Sequence, residues 1–142
     1  MDKQSHEYYR RLAFSESCLS DDPSTKVGAV VAFGPRYHWK GRNHLLEGTP
    51  KEYWNDRDKK YKFVVHAEVD AIRSAAFGVY GATLFCTAHP CKECAKLIVV
   101  SGIRCVVCPE EPWRDDPAVI ATVNDAKEIF ETCGIATVYH KD

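Results

Sequence analysis

Two short segments carry the residues able to do chemistry: His66-Ala67-Glu68, and Pro90-Cys91-Lys92-Glu93-Cys94 some two dozen positions later. One imidazole and two thiolates supply three protein ligands, the number a catalytic zinc takes when its fourth position is kept for water. Pro90 marks the start of a helix, and there the unpaired amides and the helix dipole favour the thiolate form of Cys91. Cys94, three residues on, falls on the same helical face. Glu68, two residues past His66, is poorly placed to bind the same ion but close enough to act on a water beside it. These residues therefore read as metal: His66, Cys91 and Cys94, with Glu68 as proton shuttle.

Other readings stand beside this one. A Cys-x-x-Cys pair also serves structural zinc knuckles and redox sites, and a structural zinc wants a fourth protein ligand. Cys86, His89 and Cys133 are the candidates for it. Cys105 and Cys108 repeat the same spacing, but in a strand residues three apart point to opposite faces, so they read as core thiols. Cys18 and Cys133 read as helix or cap cysteines.

The elements that must position these groups follow from patterning. Ser5 to Leu19 has helical periodicity and is closed by Asp21-Asp22-Pro23-Ser24. Val27 to Phe33 is a β-rich run, and Gly34-Pro35 turns it toward an antiparallel partner at Tyr37 to Lys40. Asn43 to Lys62 is polar and predicts a long surface excursion. Alternation follows: helix His66–Phe77, strand Ala82–Thr87, helix Cys91–Ser101, strand Arg104–Cys108, helix Ile120–Thr132 and strand Ile135–Tyr139. That order predicts an α/β sheet with parallel pairing and helices packed against it. The apolar run Phe63-Val64-Val65 before His66 predicts two helix starts converging at the carboxyl ends of neighbouring strands.

Composition bounds the rest. The 142 residues, 45% of them hydrophobic, fit a single domain spanning 1–142. Nineteen basic against twenty acidic residues leave a net charge of −1, which argues against a nucleic-acid partner. No apolar run approaches the ~20 residues of a membrane span, and Met1 to Arg11 lacks a signal-type apolar core. An odd number of cysteines, seven, points to a reducing, cytoplasmic setting.

The paired motifs have the signature of zinc nucleobase deaminases. Together with Asp22-Pro23-Ser24-Thr25-Lys26-Val27-Gly28-Ala29, Gly41-Arg42-Asn43, Lys60-Tyr61, Cys94-Ala95-Lys96 and Ser101-Gly102-Ile103, the chain resembles the deoxycytidylate (dCMP) deaminase family from about Tyr8 onward. The resemblance implies a three-layer cytidine deaminase-like fold with a five-stranded mixed sheet; the excursion from His44 to Val65 is short beside members that hold a second zinc there and lacks cysteine, which predicts one Zn2+ per chain. It implies a homohexamer converting dCMP to dUMP, in some members dCTP to dUTP. It further implies dCTP activation and dTTP inhibition at a separate site, with Mg2+ accompanying the effector triphosphate. By resemblance Asn43 contacts the sugar, the Ala67 amide contacts the pyrimidine, and Lys26 lies near the nucleotide; a solvated lysine is the plain alternative for Lys26.

The charge-rich region of Arg42, Arg57, Lys59, Lys60 and Lys62 reads either as a solvated loop or as phosphate capture. His89 and Trp113 read as base-packing or as core residues. The chain departs from the family pattern in the Gly-Tyr-Asn-Gly turn, which is Gly41-Arg42-Asn43-His44 here, and at Asp70, where Asn is frequent. Two other functions remain open: deamination of a base within RNA or single-stranded DNA, and a non-catalytic zinc module.

Overall fold

The computed structural model describes residues 1–76 and 78–141. Helix α1 (Lys3–Ser17) starts at Asp2, whose carboxylate accepts from the Ser5 amide at 2.9 Å. Strands β1 (Gly28–Phe33) and β2 (Tyr37–Arg42) form the expected antiparallel hairpin. After β3 (His44–Leu45), α2 (Arg57–Phe63) and β4 (Val64–Val65) come α3 (Ala67–Ser74), β5 (Thr83–Cys86), α4 (Lys92–Val100), β6 (Cys105–Pro109), α5 (Pro117–Thr132) and β7 (Ala136–His140). The expected end of the third of these helices, Phe77, lies outside the described residues.

The main sheet has five strands in the order β2-β1-β5-β6-β7. β1 is antiparallel to both β2 and β5, whereas β5, β6 and β7 run parallel, so the sheet is mixed as expected. Alternate residues along each strand divide between two cores. Ala29, Val31, Leu84, Cys86, Val106 and Cys108 face α3, α4 and α5, while Val30, Ala32, Phe85 and Val107 pack with Tyr9 and Ala13 of α1. Three layers result. Cys108 and Cys105 fall on opposite sides of β6 and cannot chelate together. Cys18 and Cys133 are the exposed C-caps of α1 and α5.

Two expectations are corrected. The stretch Asn43 to Lys62 is no plain loop: it holds β3, a 3-10 turn at Lys51–Asn55 and most of α2. Helix α2 escapes a periodicity reading because it buries no residue; it is fixed instead by Asp56, which accepts from the Lys59 amide at 3.2 Å. The segment before His66, β4, pairs with β3 in a separate two-stranded sheet and is not a strand of the main one. No described helix is long and apolar enough to cross a membrane.

Candidate metal and active site

Two helix starts meet at the site from different supports. Helix α4 follows β5 at its carboxyl end, and Cys91 is its N-cap, with Sγ accepting the Cys94 amide at 3.5 Å. Helix α3 follows β4, and its N-cap is His66. The His66 side chain makes no capping bond, which leaves the ring free to turn toward the thiols. Its Nδ1 lies 3.2 Å from Cys94 Sγ and 3.6 Å from Cys91 Sγ.

Those separations fit a metal. Tetrahedral zinc with ordinary Zn–N and Zn–S bonds sets nitrogen and sulfur about 3.6 Å apart. All three ligand atoms lie within 4.8 Å of one another. Among the described residues the group contains these three alone, with neither Cys86, His89 nor Cys133 in it. The electrostatics suit the same use. A hydrogen bond from the Cys94 thiol, aided by His66, overcomes burial and pulls the Cys91 thiol down to about 4. The Cys94 thiol is pushed up in turn, first by sharing that bond with Cys91. His66 is raised to about 9, mainly by its contact with Cys91. A lowered thiol beside a raised imidazole is a pairing whose protons a bound cation would displace.

Glu68 sits in the first turn of α3 and is 5% exposed. Burial raises its carboxyl pKa, opposed by the positive charge of His66. A carboxyl raised in this way holds a proton more readily than a solvated one, which suits a group that must accept a proton and pass it on.

A cleft opens from this group. Ala67 and Asn43 line it, as do His89 and Trp113. Asn43 is also a structural hub: its Oδ1 accepts the Val27 amide at 2.9 Å, and its Nδ2 donates to Thr25 O at 2.8 Å and to Asp22 Oδ2 at 3.1 Å. Lys26 does not line the cleft; its exposed ammonium donates to the Ser20 carbonyl. The cleft lysine is Lys60, one member of the charge-rich region, paired with Asp22 at 2.9 Å. Sequence reasoning missed Asp22, Thr25 and Arg114 as wall residues. Asp22 and Thr25 belong to the segment that carries the resemblance, but nothing local joins them to Arg114, which meets Thr25 across 89 positions.

His89 is buried at 1% exposure and closes one wall beside the metal helix. Its Nδ1 donates to the Pro90 carbonyl at 2.9 Å, and its ring stacks near Phe130 and Tyr139. Burial lowers its pKa, so it is a neutral ring there.

The chain is similar to known proteins over most of its length. The deoxycytidylate deaminase of Mus musculus is 32% identical over 138 residues, covering 91% of this chain and 75% of that one. The deoxycytidylate deaminase of Mycobacterium phage D29 is 31% identical over 122 residues, covering 74% of this chain and 94% of that one. The crystal structure of dCMP deaminase from the cyanophage S-TIM5 superimposes with a TM-score of 0.79 at 25% identity, over 99% of this chain and 100% of that one. Residues 3–110, which contain all three candidate ligands and Glu68, match the family described as cytidine and deoxycytidylate deaminase zinc-binding region, and the chain belongs to that family.

Proposed function

We propose that this chain hydrolyses dCMP to dUMP and ammonia. The observation that carries the proposal is the open three-ligand group of His66, Cys91 and Cys94 at the buried end of a cleft, with Glu68 in the same wall. Bound Zn2+ would supply Lewis acidity, lowering the pKa of a water toward neutrality so that it is nucleophilic at working pH. The names of the relatives support dCMP as the substrate.

The protein's own residues then handle the protons. Glu68 takes one from the attacking water and delivers it to ring N3, making C4 electrophilic. Once oxygen has bonded to C4, Glu68 takes the remaining proton of that hydroxyl and passes it to the exocyclic amine, the C4–N bond breaks as the C4 carbonyl forms, and ammonia leaves. Water is consumed and the ring ends as uracil. The Ala67 amide, in the first turn of α3 and without an intrahelical partner, is the group suited to the pyrimidine O2. Asn43 is suited to the sugar, and Lys26 acts near the nucleotide only by a side-chain swing away from Ser20.

On the family resemblance the proposal extends to an intracellular homohexamer activated by dCTP and inhibited by dTTP, with Mg2+ on the triphosphate. dCTP as an additional substrate belongs to the same extension. Ammonia release from dCMP, dCTP, CMP, cytidine and a cytosine-containing oligonucleotide tests the substrate. Turnover of dCMP well above the others is expected. Turnover of the oligonucleotide alone would assign the cleft to nucleic acid, and zinc binding without any turnover would leave a structural module.

A further inference from the structure

The metal cleft is apolar or metal-binding at its buried end and charged at its mouth, where Asp22, Thr25, Lys60 and Arg114 gather. The charges there are not equivalent. Lys60 and Asp22 form an enclosed ion pair, their side chains 16% and 2% exposed. Asp22 also accepts the Ser24 and Thr25 amides at 2.9 and 3.2 Å, and Lys60 donates to Ser24 Oγ at 3.1 Å. This pair is neutral overall and satisfied.

Arg114 is different. It lies on the connection between β6 and α5, and its Nη2 donates to a neutral group, Thr25 Oγ1, at 3.0 Å. The nearby carboxylate, Asp116, is engaged elsewhere: it caps α5 through the Ala118 amide at 2.8 Å and pairs with Arg57 at 3.6 Å. With Lys60 paired to Asp22, Arg114 is the cleft-lining guanidinium that makes no ion pair among the described residues, although its charge also helps hold Asp116 ionised. A guanidinium presents further N–H donors in a planar fork that matches phosphate oxygens.

We propose that Arg114 is the specificity-determining contact for the 5′-phosphate of the substrate, with the Thr25 hydroxyl and the Lys60 ammonium beside it, so that the cleft selects a nucleoside monophosphate over a nucleoside. The proposal rests on reading the cleft as that of a pyrimidine nucleotide deaminase. Arg114 reaches its position from a loop far in sequence from the metal ligands, so the phosphate contact and the chemistry are separable by mutation.

The test compares kcat/KM for dCMP and for deoxycytidine in wild type, Arg114→Gln and Arg114→Lys, with zinc content measured for each. Loss of a charge-assisted contact predicts a fall of about 10–100-fold for dCMP in Arg114→Gln, carried mainly by KM. The dCMP to deoxycytidine ratio should narrow by that factor, and Arg114→Lys should recover part of it. Inhibition by dUMP relative to deoxyuridine should move the same way. A ratio within twofold of wild type, or a parallel loss on both substrates, overturns the assignment while leaving the deaminase reading intact. Zinc-loaded wild type that turns over neither substrate overturns both.

Discussion

The carboxylate of Asp70 and the imidazole of His44 lie 3.0 Å apart, Oδ1 to Nε2. The same carboxylate accepts Arg73 Nη2 at 2.9 Å and the backbone amide of Arg42 at 3.1 Å. Arg42, His44 and Asp70 are therefore one connected group that ties the β2–β3 connection to α3. Asp70 does not line the metal cleft, so its charge is answered on the far side of α3.

Asp70 should make stability depend on pH in the acid range. Burial works against its ionisation, but hydrogen bonds from Arg73, His44 and the Arg42 amide outweigh that and hold its carboxyl below the ordinary 3.8. A depressed folded pKa means that the contribution is complete above about the ordinary value and is lost as pH falls through the folded one. Asp70→Asn should cost about 1 kcal/mol at pH 7, near the low end because Arg73 and His44 are partly solvent-screened. Its Tm should also fall less than that of wild type between pH 5 and pH 3. Parallel Tm curves for the two proteins would remove Asp70 from the acid response.

Gly41 is the point where α3 rests on β2. A Cβ there would sit 2.2 Å from Ala71 N and 2.6 Å from Ala67 O, both backbone atoms that cannot swing aside. Gly41→Ala should destabilise by about 1–3 kcal/mol and displace the helix that carries Glu68, lowering kcat as well as Tm. Thermal melts and dCMP turnover check this together; a variant unchanged in both would show that the helix tolerates the shift.

Metal removal should weaken the fold without abolishing it. The two apolar cores on the faces of the sheet are built without the ligand trio. Chelation should therefore leave the circular dichroism spectrum largely intact and lower Tm by roughly 10 °C, for a metal present at about a thousand times its Kd. One equivalent of Zn2+ should restore it. Complete unfolding on chelation would make the metal a structural staple.

The legibility of this chain follows the range of each interaction. The clustering of His66, Cys91 and Cys94, with Glu68 beside them, was readable because His66-Ala67-Glu68 and Cys91 to Cys94 are each confined to one helix start. The central strands β1, β5 and β6 were readable because burial on both faces makes them short unbroken apolar runs, as in Ala29 to Ala32. Helix α2 was not, since it buries nothing and so leaves no periodic trace. The mouth of the cleft was not either: Lys60 meets Asp22 across 38 positions and Arg114 meets Thr25 across 89, contacts set by topology rather than by local pattern. Lys26 was drawn toward the nucleotide by its place in the Asp22–Ala29 segment, yet its ammonium turns back to Ser20.

The central claim is that Glu68 moves the protons of a zinc-dependent deamination while His66, Cys91 and Cys94 alone hold the metal. Its most direct test measures zinc content and dUMP formation side by side in wild type and Glu68→Gln. Wild type should hold one zinc per chain and release ammonia and dUMP in equal amounts; Glu68→Gln should hold the same zinc with kcat lower by about 10²–10⁴-fold. Glu68→Gln with wild-type turnover, or zinc-loaded wild type that forms no dUMP from dCMP, would contradict the account.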